Sequence, residues 1–171
     1  MKLFWRIGTL AMLIALCGLN TFALDATANL SVTATVIANC TISAGTPLDF
    51  GNYDAISANA ASAKNVSGTV GITCTTGTSA TVMLGQGSNA DTGSTDAAPV
   101  RRMKNGSSYL SYGLFKDVGL GTTWGNTVGT GQGYTGTGSA DTITVYGSVP
   151  AAQNAAPVGS YSDTVVVTVS F

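Results

Sequence analysis

The sequence predicts an all-β fold, an incomplete immunoglobulin-like sandwich of about six to seven strands preceded by a free N-terminal strand. Three observations predict it. Residues alternate apolar and polar with period 2 in several separate stretches, the pattern of strands with one buried face. Glycine, proline, asparagine and serine punctuate those stretches at short intervals. No apolar period of helical length follows residue 23.

The first residues read as an export signal. Lys2 and Arg6 form a basic start, residues 7–19 an apolar run, and Thr21-Phe22-Ala23 a small-residue cleavage site, so residues 1–23 are assigned as a signal peptide. The apolar run is too short for a spanning helix. Leu16 before Cys17 argues against lipoprotein processing, which needs a small residue there. Removing the signal leaves two cysteines, Cys40 and Cys74, and an exported chain with one such pair is expected to close it as a disulfide. Their spacing is not the Cys-x-x-Cys of redox catalysts.

Residues 24–36 carry the cleanest pattern in the chain. Leu24, Ala26, Ala28, Leu30, Val32, Ala34 and Val36 alternate with Asp25, Thr27, Asn29, Ser31, Thr33 and Thr35. A strand needs a sheet edge, in its own domain or in a neighbour's. Folding back in cis would require a tight reversal within Ile37-Ala38-Asn39, which has no glycine or proline, so this segment is expected to be exposed in an isolated chain.

The domain proper is assigned to residues 37–171. Residues 40–42 open it as a first strand, and 48–51 form a second short apolar segment after Pro47. Residues 55–67, rich in alanine, serine and asparagine, read as a surface connection. Strands are expected at 69–74, 81–84, 109–115, 142–149 and 164–171, with a loop over 85–98 and a turn over 153–160. Residues 119–139 are long for one loop and are expected to contain a short hairpin. The last strand is the most apolar, with Val165, Val167, Val169 and Phe171 on one face, and a sandwich of this type would carry one more strand beside it.

Composition narrows the chemistry. The chain has no histidine, and all eight of its acidic residues are aspartates. A serine or cysteine nucleophile would lack its usual base and zinc its usual ligand, so no catalytic residue, metal site or cofactor is expected. The net charge of −1 makes nucleic acid an improbable partner, and nothing points to a small-molecule substrate. Ser62 with Lys64 is a weak Ser-x-Lys match, and Asp91 and Asp96 lack the dense spacing of a calcium loop. Residues 101–104, Arg-Arg-Met-Lys, read as a solvated turn after Pro99. Trp124 and Tyr134 read as caps on a sandwich end, with a sugar-binding platform as the functional alternative.

Taken together, Cys40-Thr41-Ile42, Leu48-Asp49-Phe50-Gly51-Asn52-Tyr53 and Ile72-Thr73-Cys74 resemble the first half of the spore coat protein U domain. The runs at 102–103, 110–117, 124–125, 145–150 and 159–165 continue that resemblance over nearly all of the chain after residue 23. This family includes pilin subunits of archaic, Csu-like chaperone–usher pili in Gram-negative bacteria. The resemblance implies an immunoglobulin-like pilin that lacks its last strand and receives it from the N-terminal extension of the next like subunit. A periplasmic chaperone lends a strand until assembly, and an outer-membrane usher secretes the fibre to the cell surface. Leu30, Val32, Ala34 and Val36 then match the donor residues, and Val165, Val167, Val169 and Phe171 the acceptor-side strand. The alternatives are a secreted carbohydrate- or surface-binding module and an outer coat or matrix protein.

Overall fold

The computed structural model describes residues 24–171, so the signal-peptide assignment lies outside the described residues. Residues 24–35 belong to one unit and Val36–Phe171 to another. Residues 24–35 contain no strand and are all exposed.

The second unit has eight strands: β1 (Cys40–Ala44), β2 (Lys64–Cys74), β3 (Ser79–Leu84), β4 (Arg101–Asn105), β5 (Ser108–Phe115), β6 (Gln132–Thr135), β7 (Asp141–Val149) and β8 (Val167–Ser170). They form a five-stranded sheet ordered β1-β2-β7-β5-β4 and a three-stranded sheet ordered β6-β3-β8, with every pairing antiparallel. The fold is all-β and sandwich-like. Alternation supplies the inner faces: Val70, Ile72 and Cys74 of β2, Ala80, Val82 and Leu84 of β3, Leu110, Tyr112 and Leu114 of β5, and Val145 and Val149 of β7 are all buried. Cys40 and Cys74 stand directly opposite each other in the β1–β2 register and form the disulfide.

Several expectations need correction. β2 begins at Lys64, inside the expected 55–67 connection, because residues 64–72 zip continuously against β7 and the ladder overrides a weak local pattern. Gly68 is needed there: a Cβ would stand 2.6 Å from Thr46 O. Residues 101–104 are not a turn but most of β4, whose hairpin with β5 turns at Gly106 (φ 57°). The stretch 119–139 holds no local hairpin, since β6 pairs with β3 instead. The expected 164–171 strand shrinks to β8, so Val165 precedes it and Phe171 follows it.

Trp124 is fully buried and its indole Nε1 donates to Val82 O at 2.8 Å, which places it in the core and rules it out as a surface platform. Arg101 is buried too. Its guanidinium donates through Nε to Gly85 O (2.9 Å) and through Nη2 to Leu84 O and Trp124 O (2.8 Å each), closing two carbonyls at the end of β3 and that of Trp124.

Candidate functional site

The sandwich is open along one seam. Among the described residues β8 pairs with β3 on one side and has no strand on the other. β1, the outer strand of the larger sheet, comes close to β8 without bonding to it. Between residues 44–48 and 161–167 lies a cleft of about 440 Å³ whose floor is made by Val70, Leu84, Tyr112, Leu114 and Val145. All five are buried core residues, so the hydrophobic core itself is the bottom of this groove.

The segment that forms one wall is held in place by main-chain and side-chain bonds. Ser162 exchanges two backbone hydrogen bonds with Lys104 of β4 (2.8 and 3.2 Å). Thr164 and Val166 then accept from Ser88 and Gly85 N–H groups (3.0 and 2.9 Å), so the chain crosses from the large sheet to the small one. Asp163, at the crossing, accepts from Tyr112 Oη (2.6 Å) and from Asn89 Nδ2 (2.9 Å). Burial brings the Arg101 guanidinium down to about 10, opposed by nearby Tyr112 and Asp163. Burial, and then the hydrogen bond to Asp163, push the Tyr112 phenol well above its ordinary value.

The expected acceptor-side residues do not all sit alike. Val165 and Val167 line the cleft. Val169 packs against the core cluster further along β8, and Phe171 lies beyond the strand, 57% exposed. The expected donor residues Leu30, Val32 and Val36 are 87%, 85% and 82% exposed. Asp91 bonds Arg102 at 2.8 Å, and Asp96 accepts from Asn126 and Gln86 (3.0 Å each), hydrogen bonds that hold its carboxyl below the usual range. Among the described residues no group of three or more His, Cys, Asp or Glu is placed to hold a metal.

Sequence reasoning missed Arg101, Asp163 and Tyr112 as parts of the groove's support. One signal was available: Gly106-Ser107 is a two-residue hairpin turn with Gly first, and alternation back from it turns Met103 and Arg101 inward.

The profile of the Spore Coat Protein U domain matches residues 26–168. The chain belongs to the Spore Coat Protein U domain family. Protein U of Myxococcus xanthus is 46% identical over 156 residues, covering 87% of each chain. Among solved structures, this family member resembles a chain of the CsuC–CsuE chaperone–tip adhesion subunit pre-assembly complex from archaic chaperone–usher Csu pili of Acinetobacter baumannii. The TM-score is 0.57 with 25% identity, over 80% of this chain and 40% of that one. This Protein U domain thus spans well under half of that solved chain. The P pilus rod subunit PapA (TM-score 0.54, 16% identity, 77% and 97% covered) shares the fold. So does a chaperone–usher pilus solved to explain rod uncoiling (TM-score 0.52, 12% identity, 85% and 96% covered).

Proposed function

We propose that this Protein U domain chain is a structural, non-enzymatic subunit of a surface pilus that polymerises by strand donation. The groove of one copy takes residues 24–36 of the next, with Leu30, Val32, Ala34 and Val36 facing its floor and Val165, Val167, Val169 and Phe171 forming the acceptor side. One observation carries this reading: core residues floor an open apolar cleft beside the unpaired edge of β8, while an alternating segment of the same chain stays unpaired and exposed. An added strand would gain main-chain hydrogen bonds from the β8 edge and specificity from alternate side chains. Burying Leu30, Val32 and Val36 contributes about 1.5–3 kcal/mol each. A head-to-tail contact of this kind does not close on itself and so builds a filament.

The partners that follow are like subunits, a periplasmic chaperone that covers the groove before assembly, and an outer-membrane usher. The chain would pass through the periplasm of a Gram-negative bacterium to the cell surface and support adhesion and biofilm formation. The family description, Spore Coat Protein U domain, favours a second reading, an outer coat or matrix protein. Deleting residues 24–36 tests the main reading. The expected product is a chaperone-bound monomer that accepts a donor peptide and cannot donate one. Full-length fibres from that truncation would overturn it.

A further inference from the structure

The strands whose inward residues floor the groove turn their other face to solvent. In β5, burial of Leu110, Tyr112 and Leu114 leaves Tyr109, Ser111, Gly113 and Phe115 pointing outward. The ladder extends this face: Phe115 stands opposite Tyr146 of β7, and Tyr146 opposite Ser67 of β2. Across β2, β5 and β7 every outward residue is a threonine, serine, asparagine, glycine or aromatic. None is a carboxylate, although residues 24–171 hold eight aspartates against five lysines and arginines.

An outer sheet face is normally polar, so the aromatic rings on this one call for a reason. The Phe115 ring lies across Gly113, where a Cβ would stand 2.7 Å from both Cε2 and Cζ. Glycine lets the ring rest on bare backbone, with Tyr146 beside it in the ladder. Tyr109, roughly 20 Å away along β5, is 39% exposed. The Arg102 Cζ lies 4.0 Å from its ring centroid and the Lys104 Nζ 5.9 Å. Arg102 is pinned there, since it also donates to Asn89 O and Ala90 O (3.3 and 3.1 Å) and pairs with Asp91. Lys104 is exposed and pairs with no carboxylate among the described residues.

We propose that this face binds an acidic polysaccharide, with Tyr109, Phe115 and Tyr146 stacking on sugar rings and Lys104 pairing with a sugar carboxylate. The occupant follows from two features of one surface. Aromatic rings set along a sheet suit the C–H faces of pyranose rings in an extended chain, and the hydroxyls between them suit sugar hydroxyls. A free cation on a face without carboxylates, in an otherwise acidic chain, selects negative charge. A second copy's acidic surface would answer the charge and leave the rings unused. The site lies on the opposite face of the sheet from the groove, so the inference goes beyond strand donation and does not depend on it.

The test measures binding of three probes to the full-length exported protein: alginate, a polyuronate; dextran, a neutral polysaccharide; and poly-L-aspartate, which has carboxylates without sugars. Alginate is expected to bind about tenfold more tightly than either of the others. Tyr109→Ala should weaken alginate about tenfold while leaving the urea midpoint and donor-peptide uptake unchanged. Lys104→Gln should weaken it about fivefold and reduce its sensitivity to salt. Ser67→Asp, an exposed position beside Tyr146, should repel alginate about fivefold, which covers the case that Phe115→Ala or Tyr146→Ala unfolds the domain. Poly-L-aspartate binding as tightly as alginate would reduce the site to charge and overturn the proposal, and dextran doing so would overturn its acidic character. Alginate that fails to bind, or that binds the Tyr109→Ala and Ser67→Asp variants as it binds the wild type, would overturn it outright.

Discussion

β2 and β8 carry the same kind of alternating apolar pattern and end in opposite situations. β2 has eleven residues, a partner on each side and a disulfide to β1, and its Val70, Ile72 and Cys74 are 5%, 2% and 1% exposed. β8 has four residues and one partner, and Val167 and Val169 stay half-buried. Alternation decides which face of a strand is apolar. The number of neighbours decides whether that face is covered. The closed side of the sandwich has every long strand paired, and the open side keeps one edge of β8 unpaired among the described residues.

The largest expected effect contrasts one residue from each side. In the free subunit Ile72→Ala should cost about 4 kcal/mol by urea unfolding, and Val167→Ala about 1. In a strand-complemented complex the cost of Val167→Ala should rise toward that of a core residue. If it stays near 1, the groove is not where the strand goes. Next, Cys40→Ser with Cys74→Ser should lower stability by roughly 3–4 kcal/mol through the freed loop, without changing peptide uptake at the open side. Loss of uptake would show that the two sides are not independent.

The smallest effect concerns Tyr112, which floors the groove and bonds Asp163. Its raised pKa means that the folded state keeps a proton the unfolded state loses above about pH 10, the ordinary phenol value. Stability from this group is therefore full below pH 10 and falls above it, by up to about 1.4 kcal/mol per pH unit. Arg101, lowered to about 10, acts the other way over the same range. Tyr112→Phe should accordingly remove the alkaline loss, and equilibrium unfolding at pH 9 and pH 11 measures the difference. An unchanged slope would mean that burial does not keep the Tyr112 phenol protonated in the folded state.

Much of the closed side was legible. The faces of β2, β5 and β7 and the cysteine pair follow from spacing, because each is a local period or a count of cysteines in an exported chain. The errors fall where distant residues overrule local ones. Lys64 to Ser67 look like a polar connection until β7 pairs with them. Arg101 looks like solvated charge until three carbonyls at the end of β3 and beside Trp124 converge on it. Trp124 looks like a cap until Val82 O takes its N–H.

By itself the sequence determined the all-β class, the apolar face of each long strand, the disulfide and the existence of one alternating segment more than the sandwich uses. Those depend on side-chain period and residue type, which are properties of short stretches. Only the tertiary structure decided that β6 and β8 flank β3, that β8 keeps a bare edge over the core, and that Phe115 and Tyr146 stand side by side on the outer face of the larger sheet. Those depend on which backbone groups find partners far along the chain, and no local pattern carries that information.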